Sequence, residues 1–264
     1  MWQNIEINGY HYQYYLAGTG EPTWLFLHGF LGSARDFKAI QPRGRCIYLT
    51  LKGFAPGDPV LSANELTLAN QVADLTAFIA ALGLSKLRLV GYSMGARLAL
   101  GFALAHPEYL AELILESGTP GLVTKEERLA RQALDADRAQ QILKDGLAQF
   151  VTNWEGLPLF ASQQQRSLSD QQAMRQQRLA HVPANMAASL LGFGTGTMPN
   201  LWPQLARLSV PARLITGALD HKFTKLAQAM VKSLPQAEHV IVAGAGHNVH
   251  FEQPQLFTKL IERT

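Results

Sequence analysis

The chain has 264 residues, of which 47% are hydrophobic and 16% are charged, so its composition is that of a globular protein and not of a disordered one. Its formal net charge is only +3, and no cluster of lysine and arginine with interleaved aromatic residues occurs, which argues against nucleic acid as a partner. The single Cys46 excludes an internal disulfide and fits a reducing compartment. The first residues do not resemble a signal peptide, and no apolar run reaches membrane-spanning length, so we expect a cytoplasmic protein without a membrane partner.

The first third of the chain predicts strands and helices in alternation. Residues 2–17 alternate in polarity around the turn Asn8-Gly9, which indicates a hairpin. The apolar run 23–27 predicts a strand buried on both faces. Ser33 can cap a short helix that continues to about Ile40, and helical spacing of apolar residues predicts a longer helix over 65–82.

A tight turn at residues 91–95, with the sequence Gly-Tyr-Ser-Met-Gly, separates an apolar run from a helical pattern. A strand, a turn with a central serine and a helix form the nucleophile-elbow pattern, in which Gly91 and Gly95 give the clearance that the close approach of strand and helix requires. Ser93 is therefore the candidate nucleophile. The backbone N–H groups of Met94 and Phe30 are the candidate oxyanion hole, since Phe30 follows a His-Gly pair at the end of an earlier strand.

The pattern changes between about residues 119 and 200, where strand signals vanish and helical segments rich in Gln, Arg and Leu follow one another. We interpret 119–200 as a helical lid inserted between two core strands, with the core formed by 1–118 and 201–264.

The core pattern resumes after this segment with a strand at 212–216, a helix over 224–234, a strand at 239–242 and a last helix from about Gln253. Strands that alternate with helical segments predict an α/β fold with a mostly parallel sheet flanked by helices.

Two further residues complete a candidate triad with Ser93. Asp220 follows one predicted strand and His247 follows the last one, so both are expected at the carboxyl ends of strands, where open α/β sheets bind ligands. We expect Asp220 to orient His247 and His247 to accept the proton of Ser93. The alternatives that the sequence leaves open are the acids Glu116 and Glu252 and the histidines His239 and His250.

Arginines near the candidate nucleophile indicate an anionic small-molecule substrate. Arg97 lies one helical turn beyond Ser93, where its guanidinium could grip a carboxylate with two hydrogen bonds; the alternative is an internal ion pair, for instance with Glu116. Arg131 and Arg128 have helical spacing in the first lid segment and could form a second anion clamp, although we favour a solvated face for Arg128.

Several segments carry a resemblance to a known family. They are the elbow with its arginine at 91–97, the strand-to-lid segment at 116–131, Trp154 with Pro158-Leu159-Phe160, and the loops at 220–223 and 246–250. On these segments the chain resembles the 2-succinyl-6-hydroxy-2,4-cyclohexadiene-1-carboxylate synthases, a menaquinone-pathway lyase family of the α/β-hydrolase superfamily. The resemblance implies the α/β-hydrolase fold with a helical lid.

The resemblance also implies an elimination and not a hydrolysis. The substrate of that family is a cyclohexene carboxylate that carries a succinyl chain and an enolpyruvyl ether, and the enzyme removes a ring proton and expels pyruvate. Ser93 would then act as a base through His247, without an acyl-enzyme. Arg97, Arg131 and Trp154 would contact the carboxylate-rich substrate, and Tyr92 would line the pocket.

No metal or organic cofactor is implied, and no metal-ligand spacing is present in the sequence. The same triad would serve a hydrolase of carboxylate-bearing esters or of C–C bonds, which is the alternative function. A non-catalytic binding protein on this fold is the third hypothesis. No feature of the sequence indicates the oligomeric state, and we expect a monomer.

Overall fold

The computed structural model describes residues 1–263, and an eight-stranded sheet forms its centre. The strands are β1 Trp2–Ile7, β2 Tyr10–Ala17, β3 Thr23–Leu27, β4 Arg45–Leu49, β5 Leu87–Tyr92, β6 Leu110–Glu116, β7 Ala212–Gly217 and β8 Ala237–Val242. They lie in the order β1-β2-β4-β3-β5-β6-β7-β8. Strand β2 is antiparallel to β1 and β4, and the remaining pairs are parallel, so the predicted hairpin and the mostly parallel sheet are both present.

Helices cover both faces of this sheet. Within residues 1–263 the α-helices are α1 Leu68–Ala81, α2 Met94–Ala105, α3 Lys125–Asp145, α4 Leu147–Glu155, α5 Leu168–Leu179, α6 Pro183–Phe193, α7 His221–Ser233, α8 Val249–Glu252 and α9 Pro254–Ile261. Short 3₁₀ helices are Ala34–Phe37, Ala63–Leu66, Pro107–Tyr109, Pro158–Gln165 and Trp202–Arg207. The segment between β6 and β7 contains helices and no strand. None of the helices in the described part of the chain combines the length and the apolar character that crossing a membrane requires.

Capping residues explain where the helix boundaries differ from the expected ones. The expected helix over 65–82 is divided, because Ser62 and Glu65 form a capping box on a 3₁₀ turn and Thr67 then caps α1. Helix α7 begins three residues earlier than expected, because the Asp220 carboxylate accepts a hydrogen bond from the Phe223 N–H and caps the helix there. The turn after Ser33 is a 3₁₀ helix that ends at Phe37.

The sheet buries a separate apolar cluster on each face. On β3, Leu25 and Leu27 join the cluster that packs against α1 and α2, whereas Trp24 and Phe26 join the cluster beneath α9. All four side chains are fully buried, as the continuous apolar run predicts for a strand covered on both faces. Phe257 of α9 closes the second cluster.

The parallel strands direct their carboxyl ends to one edge of the sheet. Because β3, β5, β6, β7 and β8 run in the same direction, the residues that follow them meet at this edge. The fold therefore collects side chains that are far apart in sequence, and these side chains are His28, Ser93, Glu116, Asp220 and His247.

Candidate active site

The turn between β5 and α2 holds Ser93 in a strained conformation. Ser93 has φ 50° and ψ −100°, a region in which a residue other than glycine costs about 1–3 kcal/mol. A Cβ atom on Gly91 would lie 2.5 Å from the Gly95 carbonyl oxygen, and one on Gly95 would lie 2.1 Å from the Leu27 carbonyl oxygen. The two glycines are thus required by backbone contacts on both sides of the serine, and the turn presents Ser93 at the edge of the sheet.

Ser93, His247 and Asp220 form one continuous chain of hydrogen bonds. His247 Nε2 lies 3.0 Å from Ser93 Oγ, and His247 Nδ1 lies 2.6 Å from Asp220 Oδ2. The other carboxylate oxygen of Asp220 accepts from the Phe223 N–H, so α7 fixes the carboxylate that faces the imidazole. Asp220 and His247 are both buried, which shields their hydrogen bond from competing water.

Two backbone N–H groups without an acceptor belong to Met94, which follows Ser93 directly, and to Phe30, which lines the same cavity as Ser93. Met94 is the first residue of α2, and Phe30 lies in the loop after β3. Neither N–H has a hydrogen-bond acceptor among residues 1–263. An oxyanion hole requires such unpaired donors, so Met94 and Phe30 remain the candidates that the sequence predicted.

His28, two residues before Phe30, stabilises the loop that carries Phe30 through hydrogen bonds. Its Nε2 accepts from the Leu51 N–H at 2.9 Å, and its Nδ1 lies 2.7 Å from the Gly29 carbonyl oxygen. Burial lowers the pKa of His28 to about 3, so the ring is neutral and can accept at one nitrogen while it donates at the other.

The alternative acids and histidines have other partners. Glu252 accepts from the backbone N–H groups of Gly246 and Asn248 on either side of His247. Glu116 binds His250, and His239 on β8 contacts the Thr216 hydroxyl at 2.8 Å. Only Asp220 contacts the His247 ring nitrogens within the described structure, apart from Ser93 itself.

A cavity of about 810 Å³ opens at Ser93. Tyr92, Phe30 and Trp154 line it, and Trp154 packs edge-on against Phe30 with ring centroids 5.2 Å apart. Burial raises the pKa of Tyr92 well above its ordinary value, so its hydroxyl remains neutral over the physiological range. The cavity is large enough for an organic acid of moderate size.

Neither Arg97 nor Arg131 is among the residues that line this cavity in the described part of the chain. Arg97 is buried, donates to the Phe193 carbonyl oxygen and stacks on the Phe193 ring at 4.5 Å. It has no carboxylate within 4 Å among residues 1–263, so the ion pair with Glu116 that the sequence left open does not form. Burial, and secondarily the nearby Arg131, lower the pKa of Arg97 to about 9, which leaves it charged at neutral pH.

Arg131 belongs to a cluster with an excess of positive charge. Arg131 Nε lies 2.8 Å from Asp135, and Arg138 lies 3.7 Å from the same carboxylate. Arg97 lies close enough to Arg131 and Asp135 for their charges to affect its pKa, so three guanidinium groups lie around one carboxylate that pairs with only two of them. Arg138 also stacks on Trp154 at 5.4 Å, so this positive cluster adjoins a residue that lines the cavity.

The sequence analysis missed the cations that line the cavity and misjudged Arg128. Within the described residues, the lining cations are Arg35, Lys38 and Arg178. Arg178 lines the cavity from α5, where it is held by Glu155 at 2.9 Å. Its helix contains several Arg and Gln residues, and no motif distinguishes Arg178 from them. Arg128 was expected on a solvated face, but it is half-buried and donates to the Gly196 carbonyl oxygen, because the loop at 194–197 packs against α3.

Fold and site together define an α/β hydrolase, and a family model described as alpha/beta hydrolase fold matches residues 22–254. The chain is 42% identical over 238 residues to the putative 2-succinyl-6-hydroxy-2,4-cyclohexadiene-1-carboxylate synthase of Bacillus subtilis, covering 89% of this chain and 87% of the relative. The solved structure of MenH from S. aureus matches with a TM-score of 0.87 and 32% identity, covering 94% of this chain and 96% of that one. The chain therefore belongs to the 2-succinyl-6-hydroxy-2,4-cyclohexadiene-1-carboxylate synthase family.

Esterases share the fold as well. A thermophilic esterase from Thermogutta terrifontis, solved with malate bound, matches with a TM-score of 0.83 and 26% identity, covering 98% of this chain and 96% of the esterase.

Proposed function

We propose that this chain is a lyase that eliminates pyruvate from 2-succinyl-5-enolpyruvyl-6-hydroxy-3-cyclohexene-1-carboxylate. The product is 2-succinyl-6-hydroxy-2,4-cyclohexadiene-1-carboxylate, an intermediate of menaquinone or phylloquinone biosynthesis. The observation that carries the proposal is the Ser93–His247–Asp220 hydrogen-bond chain beside a cavity, in a chain that is 42% identical to the B. subtilis relative over most of both lengths.

The proposed chemistry begins with proton transfer. A serine hydroxyl is a weak base unless a neighbour takes its proton, and His247 Nε2 lies close enough to do so. Ser93 Oγ then removes the ring proton next to the succinyl ketone. The electron pair forms the new ring double bond, and the existing double bond shifts. The C–O bond to the enolpyruvyl group breaks, and pyruvate forms when the released enolate takes up a proton.

The N–H groups of Met94 and Phe30 stabilise the negative charge that develops on the ketone oxygen in this proposal. Such donors act on charge that appears only in the transition state, and the loss of one typically costs about 10²–10³ in rate. Asp220 keeps His247 in the tautomer that can accept a proton at Nε2 and stabilises the imidazolium that forms.

Cations around the cavity give the proposed site its preference for a substrate with several carboxylates. Arg178 offers a guanidinium inside the cavity, and Tyr92 and Trp154 offer aromatic walls. We assign Arg97 and Arg131 a role in substrate binding through the excess positive charge of their cluster behind Trp154.

The helical segment 119–200 is proposed to act as a lid, because it contributes Trp154, Phe160 and Arg178 to the cavity wall. In this proposal the core consists of residues 1–118 and 201–264, of which Thr264 lies outside the described residues. A monomer in the cytoplasm remains a prediction from the sequence.

The proposal is tested by measuring pyruvate release from the synthesised enolpyruvyl substrate. We expect Ser93→Ala to reduce kcat/KM by about 10³-fold or more, because the base is lost while the cavity stays intact. Ser85→Ala, at an exposed position, is the matched control and should retain full activity. Pyruvate release at an unchanged rate by Ser93→Ala would contradict the proposed role of the serine.

A hydrolase of carboxylate-bearing esters is the second candidate, favoured by the similarity to the T. terrifontis esterase. The two functions differ in their kinetics. A lyase should show no burst of acyl-enzyme formation with p-nitrophenyl esters, whereas rapid ester turnover without pyruvate release would favour the hydrolase.

A further inference from the structure

Glu116 and His250 form a buried acid–imidazole pair next to the candidate triad. Glu116 Oε1 accepts from the His250 backbone N–H at 3.0 Å, and Glu116 Oε2 lies 2.6 Å from His250 Nδ1. Both side chains are completely buried. Both carboxylate oxygens of Glu116 therefore contact His250.

The same glutamate also holds the nucleophile turn. The Glu116 backbone carbonyl oxygen accepts from the Ser93 N–H at 2.8 Å, at the end of β6 beside β5. One residue therefore binds the segment that carries Ser93 through its main chain. Through its side chain it binds the segment that carries His247, because His250 follows His247 by three positions.

Aromatic packing links the pair to the catalytic imidazole. The His250 ring stacks on Phe37 at 4.4 Å and meets the edge of Tyr92 at 4.9 Å. The Tyr92 ring in turn lies 5.5 Å from the His247 ring. Tyr92 precedes Ser93 directly, so a shift of His250 would be transmitted both to the elbow and to His247.

Stability alone is a poor explanation for this pair. Burying two polar groups carries a desolvation penalty that their mutual attraction often does no more than offset, and an apolar pair of the same volume would serve the core equally well. Both side chains are almost completely buried, although His250 is among the residues around the cavity, and its Nε2 has no hydrogen-bond partner among residues 1–263. No hydrogen bond joins either side chain to Ser93 Oγ or to the His247 ring nitrogens in the described structure, so the pair acts through other residues.

We propose that Glu116 and His250 are positioning residues that set the distance between Ser93 Oγ and His247 Nε2. This inference rests on the proposed function of the triad. Misplacing a reacting group by about 1 Å can cost about 10²-fold in rate. Glu116 binds both the segment that carries Ser93 and the segment that carries His247, so the loss of its bonds is expected to lower the rate.

Paired substitutions at position 250 separate positioning from packing. His250→Phe keeps an aromatic ring against Phe37 and Tyr92 but removes the hydrogen bond to Glu116. His250→Asn offers an amide N–H near the place of Nδ1 and can restore that bond. Glu116→Gln keeps the shape of the acid and serves as the second variant if His250→Phe does not fold.

Glu112→Gln is the matched control. Glu112 is a largely buried acid on the same strand, four residues before Glu116, and it pairs with Arg213 at 3.3 Å. The Glu112→Gln variant shows how the removal of a buried carboxylate from β6 affects the stability of the fold in general.

We expect His250→Phe to lower kcat for pyruvate release by about 10²-fold with KM changed less than about threefold. His250→Asn should recover most of this loss, and Glu112→Gln should leave kcat unchanged. In proton NMR spectra, the downfield resonance of the His247 Nδ1–H in its short bond to Asp220 should shift or broaden in His250→Phe and return in His250→Asn.

Folded His250→Phe or Glu116→Gln with wild-type kcat and an unmoved His247 resonance would overturn the inference. So would a kcat loss in His250→Phe that His250→Asn does not recover. A wild-type protein that releases no pyruvate would instead refute the proposed function, and the His247 resonance would still report on positioning by Glu116 and His250.

Discussion

Arg178 lines the cavity that opens at Ser93, as do Arg35 and Lys38 in the described part of the chain. It shares the Glu155 carboxylate with Arg175, one turn away on the same helix, but Arg175 does not line the cavity in the described structure. The two arginines therefore have the same ion-pair partner and differ in their access to a bound substrate.

We expect Arg178→Ala to lower kcat/KM for the enolpyruvyl substrate by about 30- to 1000-fold. Removing the charged partner of a substrate carboxylate costs about 2–4 kcal/mol. Arg175→Ala removes the same kind of ion pair with Glu155 and should change kcat/KM by less than about threefold. Equal effects of the two substitutions on steady-state kinetics would mean that Arg178 acts through Glu155 and not through the substrate.

The sequence predicted the positions of those site residues that depend on nearby strands and turns. The positions of Asp220 and His247 follow from strands whose carboxyl ends must meet, and the geometry of Ser93 follows from its two glycines. Arg178 and Arg97 could not be assigned in this way. The surroundings of Arg97 depend on Phe193, which is 96 residues away in sequence, and nothing local indicates that contact.

At the scale of elements, the contact of α2 with β3 and β5 is the tightest constraint on the elbow. Gly95 faces the Leu27 backbone, which cannot move without distorting the central sheet. A Cβ atom on Gly101, on the same helix, would lie 2.9 Å from the end of the Leu68 side chain, which can rotate away.

Gly95→Ala should reduce the free energy of unfolding by about 3 kcal/mol or more, since its Cβ would overlap backbone atoms. Gly101→Ala should change it by no more than about 1 kcal/mol, because the helix propensity of alanine offsets the displacement of Leu68. Urea unfolding followed by circular dichroism measures both. A Gly95→Ala protein as stable as Gly101→Ala would show that helix and strand can separate at little cost.

The boundaries of α1 and α7 are set by capping residues, and the spacing of apolar residues gives no information about caps. The expected start of α7 was three residues late, because spacing identifies the first apolar turn and the Asp220 cap precedes it. The division of the expected helix before α1 has the same origin in Ser62 and Thr67. Strand β3, whose apolar run is continuous, lies where the sequence predicted it.

Over the whole molecule, the helices between β6 and β7 are attached to the core to very different degrees. Helix α6 buries eight of its residues, and its Asn185 bonds both Leu61 and Pro59 of the core. Helix α5, which is of similar length, buries only Arg178 and contacts the core through the bond from Gln177 to Asp36.

Amide hydrogen exchange should therefore be at least about 10-fold faster in Leu168–Leu179 than in Pro183–Phe193, because few buried apolar contacts resist local opening of α5. Mass spectrometry of peptic peptides can resolve the two helices. Equal protection would contradict a lid whose α5 portion opens while α6 stays docked.

Several residues proposed for recognition come from a part of the chain that is separable from the residues proposed for proton transfer. Ser93, Asp220 and His247 follow strands of the sheet, whereas Trp154, Phe160 and Arg178 all lie between β6 and β7. Grafting the corresponding stretch of a related esterase between these two strands would keep the proton-transfer apparatus and replace the part of the cavity wall that these helices supply. Such a chimera offers a direct route to changing what this scaffold accepts without rebuilding its chemistry.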